Sequence, residues 1–194
     1  AIFGYDQHLP DMLYGAIARP PSIGAKLKSA QAGEAVDRPG VVKIVVEDDF
    51  VGVAAETREQ AYSALNAMDL EWETEENWQQ ADIEALVTVG QGKGVVIQKE
   101  GNPERALDES TLIEAQYRTP MAFHAHIEPQ TATADVKSDR VDVWASTQFP
   151  VRLREFIARA IDRKEEQVFV TPTYVGGGFG RKIGTEAATE AARL

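Results

Sequence analysis

Short runs in which apolar and polar residues alternate dominate the N-terminal part of the chain and predict β-strands. The segment "DMLYGAIARPPSIGAKLKS" alternates on both sides of a Pro-Pro pair, which indicates two short strands joined by a turn. Two β-branched runs follow, Val41 to Val46 and Val51 to Ala55, with an acidic turn between them. "LEWE" at residues 70–73 predicts one more strand. Together these segments indicate a small sheet.

A helical repeat of apolar residues lies between the last two of these predicted strands. Thr57 is placed to cap a helix over "TREQAYSALNAMDL", and Gln60, three residues later, completes a predicted capping box. A short helix is also predicted over Trp78 to Leu86, in the polar, glycine-punctuated stretch that follows. The residues at helical spacing in the first helix are Ala61, Leu65 and Met68.

From Thr111 onward a second set of strand patterns begins. "LIEAQYRT", "TATADVKS" and "VDVWAST" are typical of strands, and "SDR" at residues 138–140 predicts a tight turn between the last two. Pro150 suits the first turn of a helix, and "QVFVTPTYV" predicts the strand after it. The apolar face of that helix is predicted to consist of Leu153, Phe156, Ile157, Ala160 and Ile161. We therefore predict an α+β fold in two units, connected late in residues 74–109.

Composition narrows the class of protein. The 194 residues are 43% hydrophobic, which suffices for one large domain or two small ones with real cores. A formal net charge of -11 has the wrong sign for neutralising phosphates, so nucleic acid is not an expected partner. The chain has no cysteine, which excludes disulfides, iron-sulfur ligands and thiol catalysis from it. Any redox centre here must be a bound cofactor.

The two ends of the sequence have the pattern of cut points. There is no initiator Met, and the N-terminal "AIFGYDQHLP" lacks the regions of a secretory signal. The C-terminal "EAATEAARL" has a helical pattern without the Gly or Pro that usually follows a helix. We therefore expect a fragment of a longer chain.

The run of glycines in "TPTYVGGGFGRK", residues 171–182, is the strongest local feature. A strand followed by glycines can bring bare backbone N–H groups to an anion. The Walker loop and the dinucleotide fingerprint both fail on spacing, because each, counted from Gly176, requires glycine where Arg181 stands. A turn that needs positive φ or close packing is the alternative and stays open. "GQGKG" at residues 90–94 is interpreted as a flexible loop.

Three polar residues in "FHAHIEPQ" form a weaker candidate. His124, His126 and Glu128 would share one face of a strand, which is formally a metal-ligand set. Neighbouring side chains on one strand face stand about 6–7 Å apart, however, which does not converge on one ion. A hydrogen-bonded structural role is therefore favoured over a metal site.

Gln148 in "WASTQFP" ends a predicted strand just before the helix that begins at Pro150. Its amide could bind a ligand at the sheet edge, but a role in capping the helix is favoured for this residue taken alone. Two acidic clusters, Asp48 with Asp49 and the run from Glu71 to Glu76, are interpreted as exposed acidic faces.

Four segments in order together resemble one known family. "AIFGYDQHLPDMLYGAIARPP", "YRTPMAFHAHIEP", "VWASTQFP" and "GGGFGRK" are similar to the molybdenum-binding large subunit of the xanthine oxidase/aldehyde oxidase family. The resemblance spans nearly all of the chain and is strongest to isoquinoline 1-oxidoreductase β-subunits and related membrane-associated aldehyde dehydrogenases. It implies an α/β hammerhead domain over residues 1–88, a linker over 89–110, and a truncated N-terminal part of the molybdopterin-binding domain over 111–194.

The same resemblance implies a chemistry. In this family a molybdenum centre held by a pterin, often a cytosine dinucleotide, places water-derived oxygen on an aldehyde or an electron-poor N-heteroaromatic carbon. Hydride passes to a sulfido ligand, and electrons leave through iron-sulfur clusters, which in isoquinoline-type enzymes sit on a small [2Fe-2S] partner subunit. A cytochrome c subunit is a further expected acceptor, and a periplasmic or membrane-associated location is expected, with the cytoplasm as the alternative.

Several residues match the family's motifs position by position. By the resemblance, Gln148 hydrogen-bonds an oxo ligand of molybdenum, and Phe179 stands beside the active centre. Arg181 agrees with the isoquinoline-like branch and could contact the phosphates of the dinucleotide. A close approach of backbone N–H groups to the cofactor is implied for Gly177, Gly178 and Gly180.

The remaining matches concern substrate and catalysis. His124 and Glu128 are implied in the wall of the substrate pocket, while His126 departs from the branch's pattern. Ile183 stands where purine-oxidising members have a glutamate, which argues against purine substrates. The family's catalytic base is a glutamate with no counterpart in these residues, so no catalytic residue is assigned and the fragment alone is expected to be inactive. The alternative function is a non-catalytic module that binds an anion or a protein.

Overall fold

The computed structural model describes residues 1–47, 49–74, 78–90, 92–101 and 113–194. By its contacts the chain divides into two units, one formed by Ala1–Glu75 with Phe123–Leu194 and the other by Glu76–Ala122. Some predicted features lie outside the described residues, namely Asp48, the end of the acidic run, and, within the 89–110 linker, Gln91 and residues 102–110. The predicted domain boundaries stay predictions.

The N-terminal residues form two small antiparallel sheets. Strands β1 (Tyr14–Ile17), β3 (Val41–Glu47) and β4 (Phe50–Ala55) make a three-stranded sheet in the order β1-β4-β3. Strand β2 (Lys26–Gln31) pairs with β5 (Asp69–Glu73). All five strands lie in segments that the sequence predicts as strands: β1 and β2 from alternation, β3 and β4 from their β-branched runs, and β5 from "LEWE". The central strand β4 is buried along its whole length because it has a neighbour on each side and a helix on one face.

Helix α1 (Arg58–Leu65) packs on the first sheet and begins where the sequence predicts. Thr57 Oγ1 accepts the backbone N–H of Gln60 at 3.2 Å, which is the first half of the predicted capping box. The second half is wrong, since Gln60 Oε1 has no hydrogen-bond partner among the described residues. The Gln60 side chain instead lies against Gly40, in the space a Cβ atom there would fill.

The core of this part lies between α1 and the first sheet. It is built from small and β-branched residues, which allow the helix to approach the strands closely. Its fully or largely buried members are Ala16, Ala35, Val51, Val53, Ala55, Ala61, Ala64, Leu65 and Met68.

A third sheet carries the C-terminal half of the chain. Strands β6 (Ala132–Val136) and β7 (Val141–Ala145) form an antiparallel hairpin across the predicted turn. Helix α3 (Pro150–Ala160) then crosses to β8 (Val168–Pro172), which pairs in parallel with β7. Pro150 occupies the first turn of α3, as predicted.

Helix α4 (Glu186–Arg193) packs beside α3 on this third sheet. The buried face of α3 is turned slightly from the predicted one, because Ala158 is buried while Ala160 is exposed. Ala160 points away from the core, although Ile161, the next residue, packs against it. The buried core of this half consists of Val141, Val143, Ala145, Leu153, Ile157, Ala158, Val168, Ala188 and Ala192.

Ion pairs join helix α4 to the three-stranded N-terminal sheet, β1-β4-β3. Arg193 binds the carboxylates of Glu47 and Asp49, the latter at 2.7 Å. Arg19, just after β1, donates to the carboxylate of Glu190 through its two terminal nitrogens, Nη1 and Nη2. The two halves of this unit are therefore connected through α4 as well as through the chain itself.

The unit formed by residues 76–122 has little regular structure where it is described. Helix α2 (Gln80–Leu86) confirms the short helix predicted there. The strand predicted over "LIEAQYRT" is wrong for residues 113–119, which pair with no strand among the described residues and expose Ile113 and Tyr117. Alternation of apolar and polar residues is not enough to form a strand when no neighbouring strand is available for backbone hydrogen bonds. Among the described residues, no helix has the length and apolar composition needed to cross a bilayer.

Candidate functional site

The glycine loop (residues 176–180) follows strand β8 and has an unusual backbone. Gly177, Phe179 and Gly180 have φ values of +89°, +50° and +95°. Glycine adopts this left-handed region at no steric cost, whereas Phe179 is strained by it. The loop then enters a short 3₁₀ turn, Arg181–Ile183. Two of the glycines are thus explained by positive φ, one of the interpretations left open by the sequence.

Two other glycines of the loop are explained by close packing within the chain. A Cβ atom on Gly176 would lie 2.5 Å from Cβ of Glu128. A Cβ atom on Gly178 would collide with the side-chain oxygen of Gln148. The groups that come close to this backbone therefore include two side chains from elsewhere in the same chain, and both are site residues predicted from the sequence.

Gln148 supports the glycine loop rather than the helix that follows it. The side-chain Oε1 of Gln148 accepts the backbone N–H of Gly180 at 3.1 Å, and the backbone N–H of Gln148 donates to the carbonyl of Lys182 at 2.9 Å. The N-terminus of α3 receives no side-chain cap at Phe149; instead the Phe149 N–H is bound by Thr147 Oγ1 at 3.1 Å. The helix-capping interpretation of Gln148 is therefore wrong, and its amide is held at the loop.

Three consecutive backbone donors of the loop point to a binding role. The N–H groups of Gly177, Gly178 and Phe179 have no hydrogen-bond acceptor among the described residues. The Phe179 side chain is 73% exposed, so it contributes little to the core and is presented to whatever lies outside the loop. Successive unpaired N–H groups in a loop of positive φ form a concavity that suits anionic or oxo groups.

A buried ion pair lies beneath the loop. Lys182 Nζ and Glu128 Oε2 are 2.6 Å apart, with the lysine fully buried and the glutamate 8% exposed. The same oxygen accepts the N–H of Gly176 at 2.8 Å, and Oε1 accepts the N–H of Gly4 at 2.9 Å. The carboxylate thus receives one ammonium and two backbone donors.

These donors decide the charge of the buried carboxyl. Burial by itself raises the pKa of Glu128, because it disfavours the charged form. The Lys182 ammonium and the N–H groups of Gly176 and Gly4 outweigh that effect and hold the pKa below its ordinary value of 4.5. Glu128 is therefore ionised at neutral pH.

The other predicted site residues lie around the loop with different exposures. Arg181 pairs with Glu186 at 3.3 Å, and its carbonyl accepts from Gln130. Ile183 is exposed at the end of the 3₁₀ turn. His126 packs against Gly177, and both of its ring nitrogens are buried with no partner among the described residues.

The strand on which the formal metal set depended is absent. Residues 123–129 form no strand, and Ala125 has a φ of +43°. His124 is exposed while Glu128 turns inward to Lys182, so the two side chains do not share a face. Within the described part of the chain, no group of three potential ligands is placed to hold a metal ion.

Lys182 and Gly4 are the contributors that the sequence did not indicate as site residues. Both lie in segments that carry the family resemblance, "GGGFGRK" and "AIFGYDQHLPDMLYGAIARPP", but neither matches a position with an assigned role. Glu128 and Lys182 stand 54 positions apart, and nothing in a single sequence pairs two charges at that distance. A lysine between an arginine and an isoleucine gives no sign of being buried.

Comparison with known proteins agrees with the geometry. Residues 89–193 match the family model of the molybdopterin cofactor-binding domain. One of the subunits of nicotinate dehydrogenase from Pseudomonas putida is 28% identical over 98% of this chain and 17% of its own length. The β-subunit of isoquinoline 1-oxidoreductase from Brevundimonas diminuta is 23% identical over the whole chain and 27% of its own length.

A solved structure shares the fold. The aldehyde oxidoreductase from Desulfovibrio desulfuricans superimposes with a TM-score of 0.74 and 19% identity, over 99% of this chain and 27% of that one. The resemblance that the four sequence segments indicated is thereby confirmed, and so is the α+β class. The chain spans between about a sixth and about a quarter of the length of these relatives.

Proposed function

This chain belongs to the family of the molybdopterin cofactor-binding domain, and we propose that it forms part of the cofactor wall in the catalytic subunit of a molybdenum hydroxylase. The observation that carries the proposal is the set of three unpaired N–H groups at Gly177, Gly178 and Phe179. They lie within the matched residues and suit the oxygen-rich groups of such a cofactor. When bound, molybdopterin would supply the redox chemistry that transfers water-derived oxygen to a substrate carbon.

The residues of this chain fit a cofactor of that kind. Gly177 and Gly178 carry no side chain of their own, so no Cβ atom stands beside their backbone donors. Since Gln148 Oε1 is already occupied by Gly180 N–H, the amide NH2 of Gln148 is the end that remains to donate. These groups would bind and orient the cofactor, and the exposed Phe179 ring would shield it from water on one side.

The finer features of the proposal are supported by the names of the relatives. Nicotinate, isoquinoline and aldehyde are the compounds for which the three compared proteins are named, so we propose an aldehyde or an N-heteroaromatic substrate. Purines are not proposed as substrates, because Ile183 lacks the carboxylate that purine-oxidising members of the family have at this position. His124 and Glu128 stay proposed residues of the substrate pocket, and Arg181 a proposed contact to the cofactor's phosphates.

The partners follow from the same family. Both curated relatives are named as subunits of larger enzymes. We propose a cytosine dinucleotide form of molybdopterin, a small [2Fe-2S] subunit that accepts the electrons, and a cytochrome c that receives them next. A periplasmic or membrane-associated location is part of the proposal. The catalytic base would lie in the remainder of the protein, so the 194 residues alone would bind or position and not catalyse.

The first experiment measures the cofactor directly. The complete protein is purified with the subunits that accompany it, and molybdenum and pterin are quantified per mole of protein. Near-stoichiometric amounts of both are expected. A folded, assembled complex that repeatedly lacks both would contradict the proposal and favour the non-catalytic anion- or protein-binding alternative, to which the same three N–H groups would be available.

The role of Gln148 is tested by two substitutions. Gln148→Ala removes both the acceptor for Gly180 and the amide donor, whereas Gln148→Glu keeps the acceptor and loses the donor. If the donor acts on the reacting centre, both variants lose turnover by about 10²-fold, with little change in Tm. Gln80→Ala, on the exposed surface of α2, is the control. Wild-type turnover in Gln148→Glu would show that Gln148 serves only to hold the loop.

A further inference from the structure

We infer that the buried Glu128–Lys182 ion pair positions the glycine loop and Gln148 for the ligand, without touching the ligand itself. The inference rests on the proposed function, because the ligand is taken to be the molybdopterin cofactor. It concerns a different question, namely what fixes the donor groups in place. Both residues act through others and are therefore positioning residues.

One carboxylate oxygen fixes the loop at both ends. Glu128 Oε2 accepts the N–H of Gly176 at 2.8 Å, where the loop begins, and the Lys182 ammonium at 2.6 Å, just after the loop ends. The three unpaired N–H groups lie between these two anchors. A segment whose ends are bound to a single atom has little freedom to change its span, so the directions of its N–H groups are restricted.

The carboxylate is itself held on its other side. Its Oε1 accepts the N–H of Gly4, and the backbone N–H of Glu128 donates to the carbonyl of Gly176 at 3.1 Å. The N-terminal 3₁₀ turn Gly4–Asp6, residues near 128 and the start of the loop are thus joined at one point. Through this carboxylate the loop is attached to two other stretches of chain and not to its own strand alone.

Lys182 extends the same support to Gln148. Its carbonyl accepts the Gln148 N–H at 2.9 Å and the hydroxyl of Thr147 at 3.3 Å. The lysine therefore binds Glu128 with its ammonium and fixes the backbone of Gln148 with its carbonyl. Both groups of donors proposed for the cofactor, the loop amides and the Gln148 amide, depend on this one buried residue.

Stability alone does not account for the pair. Burying two charges costs desolvation energy that their attraction often only offsets, and well-packed apolar residues commonly do as well or better. What an apolar pair cannot supply is an acceptor for the Gly176 and Gly4 N–H groups. The pair is thus suited to a task of geometry, which is to hold a loop of high backbone freedom in one conformation.

The test separates positioning from stability by comparing single and double variants of the complete protein with its accompanying subunits. Lys182→Met leaves a buried carboxylate without its partner charge and is expected to lower the Tm. The double variant Glu128→Gln with Lys182→Met removes both charges and is expected to recover most of that loss. Positioning predicts that the double variant nonetheless retains about tenfold less pterin and molybdenum after gel filtration, as when a supporting contact around a metal centre is lost.

A second readout does not involve the cofactor. Hydrogen exchange of the peptide covering residues 176–183 is expected to be faster in the double variant, with exchange in β6 and β7 unchanged. Glu128→Asp, which keeps the charge but shortens the side chain by one methylene, is expected to give the same two defects if the double variant does not fold. Glu155→Gln, which breaks the exposed pair with Arg159 on α3, is the matched control and should change neither.

The outcomes distinguish this inference from the proposed function. Cofactor content that returns to the wild-type level together with the Tm in the double variant overturns the positioning role. A wild-type complex without pterin or molybdenum contradicts the proposed function, and hydrogen exchange then decides the inference by itself. Unchanged exchange over residues 176–183 in the double variant and in Glu128→Asp refutes it.

Discussion

At the scale of single residues, glycines of the same loop are required for different reasons, and substitutions separate those reasons. A Cβ atom on Gly176 meets Cβ of Glu128 at 2.5 Å, an atom that cannot rotate away. Gly176→Ala is therefore expected to destabilise the complete protein by about 1–3 kcal/mol, the usual cost of overpacking a filled site. Denaturant unfolding measures the difference. Gly92→Ala is the control, because that glycine faces open space.

An unchanged free energy of unfolding in Gly176→Ala would mean that the backbone at residue 176 can move away from Glu128. It would then also follow that the hydrogen bond from Gly176 N–H to the carboxylate is not a fixed feature. A loss in Gly92→Ala as large as in Gly176→Ala would point to a general effect of losing glycine and not to contact with Glu128.

The residues of the site divide into those that the sequence could reveal and those that it could not. Gln148 and the glycines stand in short local motifs, "VWASTQFP" and "GGGFGRK", and their roles as cofactor contacts are implied by the resemblance of those motifs to the family. Lys182 is next to the same motif, but its burial depends on Glu128 and Gly4, which arrive from distant parts of the sequence. Non-local pairing of this kind leaves no periodic signal.

At the scale of elements, the N-cap of α1 can be tested against a helix that lacks one. Thr57 Oγ1 accepts the N–H of Gln60, whereas Thr185, at the start of α4, makes no side-chain cap bond. Thr57→Ala is expected to lower the free energy of unfolding by about 1 kcal/mol. Thr185→Ala is the matched control and should change it by less than about 0.5 kcal/mol. Equal losses in the two variants would show that the cap bond is not the cause.

Helices and strands were predicted well where residues close in sequence determine them, and poorly where pairing with a distant strand determines them. The strands β1 to β5, the hairpin β6–β7 and helices α1 and α3 follow from periodicity, turn residues and caps, all within a few positions. Residues 113–119 have the same alternation as a strand but no partner to bond among the described residues. The parallel pairing of β7 with β8 was likewise outside the reach of pattern alone.

At the scale of the whole molecule, two kinds of ion pair hold distant parts of the chain together. The pairs of α4 with the N-terminal sheet are at the surface, and Asp49 is 79% exposed. The Glu128–Lys182 pair is buried. Surface pairs contribute little and are screened by salt, while a buried carboxylate keeps its interactions at any ionic strength. The two kinds can therefore be told apart by how acid and salt affect stability.

Acidification should destabilise the protein through both pairs, and only one effect should survive high salt. The pKa of Glu128 is lowered by Lys182 and by N–H donors against the opposing effect of burial, and that of Asp49 is lowered by its hydrogen bond from Arg193. A carboxyl group with a lowered folded pKa stabilises the fold above its unfolded pKa, and the benefit is lost as the pH falls through the folded value. Stability should thus decline below about pH 4.5. Thermal unfolding between about pH 7 and about pH 3 should show a shallower decline in Glu128→Gln than in wild type, even at about 0.5 M salt. Asp49→Asn, the surface control, should differ from wild type only at low salt. If the plot of Tm against pH for Glu128→Gln instead coincides with that of wild type at high salt, the carboxylate under the glycine loop is open to water.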